Sequence, residues 1–179
     1  MRRHAYVALL SLAVAATASA CGNDDNTPTS PPTERFRATL DGAKERPTPR
    51  TTPATATADF TLRRDTLSWT IALSSITNVT AAHIHVGGPE VAGGIVLFLT
   101  PGTTGTNNSA ISGFVTRGTF ATPAAPNQGV TFDNLLDLMR SGGSYVNVHT
   151  NDPANDPTNN AGPGDFPAGE IRGQIAKVP

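Results

Sequence analysis

The chain reads as an all-β fold, a β-sandwich carrying one short helix. Three observations predict it. From Phe36 onward short stretches alternate apolar and polar residues. Clusters of Gly, Pro, Asn and Thr break those stretches at close intervals, which is how the strands of a sandwich or barrel are punctuated. One segment alone carries helical spacing. The 35–179 segment of this 179-residue chain is long enough for one domain with its own core.

Strands are predicted near 35–41, 55–63, 66–76, 80–86, 94–99, 111–120, 143–149 and 169–178. In the second, Ala56, Ala58, Phe60 and Leu62 share one face, and in the third Leu67, Trp69, Ile71 and Leu73 do the same. Arg64-Asp65 is a loop of the length that joins two such runs as a tight hairpin. Between 133 and 140 the apolar residues fall at Leu135, Leu136 and Met139, a helical spacing; Thr131 is placed to cap that helix and Gly142-Gly143 to end it. Residues 151–168, rich in Asn, Asp, Pro and Gly, form a long loop.

The N-terminus predicts export. Arg2 and Arg3, the apolar run Ala5–Ala16 and the small residues Ala18-Ser19-Ala20 have the order of a secretory leader. Cys21, the only cysteine, falls at the processing site, where a bacterial lipoprotein carries its diacylglycerol. The pattern resembles a lipobox with Ala18 where Leu is usual; the alternative is ordinary cleavage before a free thiol. The expectation is a leader over 1–20, a lipidated, disordered tether over 21–34 and a domain over 35–179, facing the cell envelope and held to a membrane through the lipid. The run before Cys21 is shorter than the about 20 apolar residues a membrane span needs. Without Arg2 and Arg3, 11 basic residues face 14 acidic ones with no basic stripe, so nucleic acid is not an expected partner. A single cysteine allows no internal disulfide.

His83, His85 and His149 lie in two of the predicted strands. Alternation sends His83 and His85 one way and Ala82, Ile84 and Val86 the other. It likewise opposes Tyr145, Asn147 and His149 to Val146 and Val148, and Glu170, Arg172 and Gln174 to Ile171 and Ile175. If the three strands share a sheet, His83, His85, Asn147, His149, Glu170 and Arg172 form one polar patch facing away from the core. Residues i and i+2 stand about 6.5–7 Å apart on a strand, with neighbouring strands about 4.8 Å away. Imidazoles so placed can converge on one ion, copper or zinc, with bonds of about 2.0–2.1 Å. Glu170 would then orient an imidazole or pair with Arg172. The alternative is a face held together by its own side-chain hydrogen bonds, with no ligand. On either account an outward-facing Arg172 contributes about 1 kcal/mol.

The same residues carry a family resemblance. Phe36-x-Ala38-x-Leu40-x-Gly42 with Glu45 and Pro47, then Thr80-Ala81-Ala82-His83-Ile84-His85 with Gly87, Gly93 and Gly94, then Tyr145-Val146-Asn147-Val148-His149-Thr150, then Gly169-Glu170-Ile171-Arg172-Gly173-Gln174-Ile175 together resemble a CHRD domain. That module is repeated in chordin and stands singly in many bacterial secreted proteins. The resemblance runs from about 35 to 178, with 151–168 longer than the family's usual turn. It implies an extracytoplasmic Greek-key β-sandwich, immunoglobulin-like or superoxide-dismutase-like, and little chemistry; the expectation is a non-enzymatic binding or structural module of the cell envelope whose partner is an unknown protein or polysaccharide. The His-x-His strand is also similar to that of copper-zinc superoxide dismutase, but that enzyme fills two metal sites and three histidines fill one.

Other chemistry finds little support. There is no phosphate-binding glycine loop and no Gly-x-Ser-x-Gly elbow. Asp152, Asp156 and Asp165 offer oxygen ligands for calcium, but at a spacing that fits no defined calcium loop, and a solvated loop is the expectation.

Overall fold

In a computed structural model of the chain, the residues described are 32–100, 110–117, 119–120, 129–152 and 162–179. The expected leader, Cys21 and most of the expected tether lie outside them, as does Asp156. Among the described residues no helix is long and apolar enough to cross a membrane.

The fold is all-β with one helix. Nine strands follow in order: β1 (Thr33–Asp41), β2 (Thr55–Arg63), β3 (Thr66–Ser74), β4 (Val79–Val86), β5 (Ile95–Phe98), β6 (Ile111–Thr116), then α1 (Phe132–Ser141), β7 (Ser144–Thr150), β8 (Ile171–Gln174) and β9 (Ala176–Val178). Every ladder is antiparallel, in the order β5-β4-β7-β8-β1-β2-β3-β6, with β9 pairing β1. The ladder is continuous from β5 to β6, so the halves of one curled sheet, rather than two separate sheets, enclose the core. Trp69 of β3 donates its indole N–H to the Leu99 carbonyl just past β5, 3.1 Å away, tying strands from opposite ends of that ladder.

The alternation seen in the sequence decides the inward face. Phe36, Ala38 and Leu40 of β1, the four apolar residues of β2 and Leu67, Trp69, Ile71 and Leu73 of β3 are all buried, along with Ala82 and Ile84, Val146 and Val148, and Ile171. Arg64 opens the β2–β3 hairpin in the left-handed region at φ 53°, the twist such short connections need. Ser75, also at φ 53°, follows the end of β3, which stops two residues short of the expected 76. The expected strand 111–120 stops at Thr116, where the Thr119 hydroxyl accepts the Thr116 N–H and turns the chain.

The helix has the predicted caps. Thr131 accepts the Asn134 N–H, Asn134 accepts that of Thr131, and Gly142 closes the other end at φ 71°. Phe132, Leu135, Leu136 and Met139 point into the core. The expected strand 169–178 is two strands: at Ile175 the backbone leaves the β7 side, its N–H donating to Ser144, and continues beside β1 as β9.

Candidate metal centre

Strands β4, β7 and β8 are neighbours, and their registers put the predicted polar residues on one face. His83 pairs with Asn147 and Asn147 with Arg172, while His85 pairs with Tyr145 and Tyr145 with Gln174. Between these rows Ile84, Val146 and Gly173 pair in turn, as do Ala82, Val148 and Ile171, facing the core. For His83, His85, Asn147 and Arg172 the registers give the shared face that alternation predicts.

The exposure expected of that face does not. His83, His85 and Asn147 are 5–8% exposed, Arg172 1% and Glu170 0%. Three loop segments reach over the sheet. The segment after β1 brings Glu45, which accepts from Asn147, and Thr52, which donates to Glu170. The segment between β4 and β5 brings the carbonyls of Gly88 and Gly93. The segment before β8 brings the Pro167 carbonyl. The patch is thus a second, polar interior outside the apolar core. Alternation tells which way a side chain leaves its strand, but not what the loops will lay over it.

Within this interior His83, His85 and His149 each offer one ring nitrogen to a cluster, the three atoms lying within 4.8 Å of one another. His85 Nδ1 lies 2.9 Å from the Gly93 carbonyl and His149 Nδ1 3.0 Å from that of Pro167. A carbonyl only accepts, so each Nδ1 carries the proton and each Nε2 presents a bare lone pair. That is the arrangement by which ligating histidines are oriented, the far nitrogen donating to a fixed oxygen. His83 Nδ1 stands 3.1 Å from His149 Nε2 and, that nitrogen being bare, donates its proton to it. The Nε2 atoms of His83 and His85 are buried with no hydrogen-bond partner. Buried polar atoms are nearly always paired, so these nitrogens call for an explanation.

The site repels protons. Burial, with the neighbouring imidazoles, pushes His83 down to about 3. Burial likewise takes His85 to about 4, against the pull of the Gly93 carbonyl, and lowers His149. All three are neutral at neutral pH, the form a metal requires.

A column of flat groups supports the site. Tyr145 stacks on His85 with ring centres 5.0 Å apart and planes 13° from parallel, and the Arg172 guanidinium lies 3.4 Å above the Tyr145 ring. Arg172 also donates to Gly88, 2.8 Å away. The Tyr145 hydroxyl accepts the Gly93 N–H at 3.0 Å, holding the residue whose carbonyl orients His85. Phe98 meets His83 edge to face at 4.6 Å.

Glu170 takes neither expected role. Its carboxylate accepts from Thr52, Thr150 and the Gly164 N–H, pinning the loop before β8 rather than touching an imidazole or pairing with Arg172. Of the loop acids, Asp165 is buried and accepts the Asp152 N–H, an internal tie. Tyr145 and Glu45 were missing from the predicted site. Tyr145 shares the face by simple alternation; Glu45 arrives from a distant loop, and no spacing announces it.

A family model described as the CHRD domain matches residues 36–155, more than half of the chain. The chain belongs to the CHRD-domain family. The matched stretch runs from β1 to just past β7, so it includes His83, His85 and His149 and ends before Glu170 and Arg172. No curated protein matches the chain. Within this CHRD domain the three imidazoles come from adjacent strands and the backbone carbonyls that orient them from loops.

Proposed function

We propose that this CHRD-domain protein is a non-enzymatic module of the cell envelope, lipid-anchored through Cys21 and facing outside the cytoplasm, that binds one copper or zinc ion through His83, His85 and His149. The observation that carries the reading is the pair of backbone carbonyls, Gly93 and Pro167, that hold the protons of His85 and His149 on Nδ1 and leave each Nε2 a lone pair, in a cluster of three histidines whose ligand atoms lie within 4.8 Å of one another. A bound ion would also satisfy the buried Nε2 of His85, which has no hydrogen-bond partner. Three histidines supply one site, which favours binding or delivery of an ion over two-metal redox turnover.

The test is metal content by mass spectrometry on the processed chain, purified without an affinity tag, as isolated and after dialysis against copper or zinc, beside the His83→Ala/His85→Ala variant. The expected result is about one ion per chain, lost from the variant. Metal-free protein under every condition, with the variant merely less stable, sinks the metal reading and leaves a hydrogen-bonded face whose partner is a protein or polysaccharide. The anchor has its own test: Cys21→Ser should move the chain from the membrane fraction to the soluble one.

A further inference from the structure

We infer that the ion is copper(I), held by the three imidazoles without a fourth ligand. This rests on the metal reading above and narrows it to one oxidation state of one element.

The first argument is the donor set. The cluster holds three neutral nitrogens and no carboxylate or thiolate. The nearby acids are engaged elsewhere: Glu170 accepts from Thr52, Thr150 and Gly164, and Glu45 from Asn147. Whatever charge enters therefore stays uncompensated by its ligands. The charging cost of a buried ion rises with the square of its charge, so a divalent ion is penalised about four times as heavily as a monovalent one. Arg172, stacked on the far face of Tyr145, adds a fixed positive charge behind His85 and sharpens that preference.

The second argument is coordination number. Zinc takes four ligands, and where a protein supplies three the fourth is water or substrate. Copper(I), a filled-shell monovalent ion, is satisfied by three nitrogens in a plane. Tyr145 covers one face of His85 and Phe98 stands edge-on to His83, so two sides of the cluster are walled by rings. His83 and His85 are 6% and 8% exposed, and His149 is partly buried.

The third argument is size. Three nitrogens bonded to a central ion at about 2.0 Å stand about 3.5 Å from one another. The His83–His149 edge is 3.1 Å, and all three nitrogens lie within 4.8 Å.

The test uses the processed chain under argon. Copper(I) is titrated in competition with bicinchoninate, and zinc in competition with a chromophoric zinc indicator. Because a thiol is itself a soft copper ligand, the Cys21→Ser chain is measured in parallel. The expected result is one copper(I) per chain, unaffected by Cys21→Ser, bound at least about 100-fold more tightly than zinc and weakened at least about 100-fold by His85→Gln or His149→Gln. Copper-edge X-ray absorption on the unsubstituted chain should show three imidazole nitrogens and no sulfur; it needs no variant, so a misfolded His85→Gln does not stall the question. Zinc binding as tight as copper(I), or a fourth light ligand on copper, overturns the inference while leaving a metal site. Copper lost on Cys21→Ser overturns it as binding at the thiol. Failure to bind either ion overturns both this inference and the reading it rests on.

Discussion

Replacing Arg172 by Ala measures directly whether the histidine face is an interior. The side chain is 1% exposed, donates to the Gly88 carbonyl at 2.8 Å and covers the Tyr145 ring at 3.4 Å. A hydrogen bond from a charged donor is worth about 1.5–3 kcal/mol, and a desolvated cation–π contact about 2 kcal/mol. Truncation to Ala also leaves a cavity where a long stem was packed. Against these stands the recovered cost of burying the charge, so the contributions do not sum. The expected net loss is about 3 kcal/mol, against about 1 kcal/mol for an arginine on an open surface. Urea unfolding at pH 7, followed by Trp69 fluorescence and checked against a second probe for two-state behaviour, gives the number. Arg172→Met keeps most of the stem volume and should lose less than Arg172→Ala, because an apolar replacement of a buried charge is often close to neutral. A loss of about 1 kcal/mol or less for Arg172→Ala would mean the head is solvated and the three loop segments do not cover the face, and the account of the site as a polar interior would fall with it.

Two further outcomes follow from the same interior. Burial raises Glu45 from 4.5 to about 7, with Arg172 and Arg50 pulling the other way. A raised folded-state value means the folded chain holds a proton that the unfolded chain has released, so stability falls as pH rises from about 4.5 through 7, by about 3 kcal/mol at most. Glu45→Gln cannot titrate; relative to the unsubstituted chain its stability should rise between pH 5 and pH 8, and parallel urea midpoints across that range would refute the assignment. A Cβ on Gly93 would lie 1.6 Å from the Val86 carbonyl oxygen, whereas one on Gly88 meets nothing within 4 Å. Gly93→Ala should therefore displace the peptide that orients His85, costing about 2 kcal/mol or more and weakening metal uptake, while Gly88→Ala should be close to neutral; retention of full stability and uptake by Gly93→Ala would show that the Gly93 carbonyl does not set the site.

Much of the fold was legible because its signals are local. The period-two faces of β2 and β3, the hairpin at Arg64-Asp65 and the helix between Thr131 and Gly142 each follow from residues within a few positions of one another. The break at Ile175 was not legible. The isoleucine spacing of 171 and 175 continues through it, and only the competition of β7 and β1 for the same chain decides where the strand divides.

At the candidate site, the sequence by itself determined which residues share a face. His83, His85, Asn147, His149 and Arg172 oppose Ile84, Val148 and Ile171 because successive side chains on a strand point to opposite sides. The tertiary structure decided that β4, β7 and β8 are neighbours, that three loop segments bury the face they form, and that the carbonyls of Gly93 and Pro167 fix the ring tautomers. Side-chain direction is a property of the local backbone and can be read along the chain. Burial, charge cost and tautomer depend on groups brought together from distant positions, and those are set only when the chain has closed on itself.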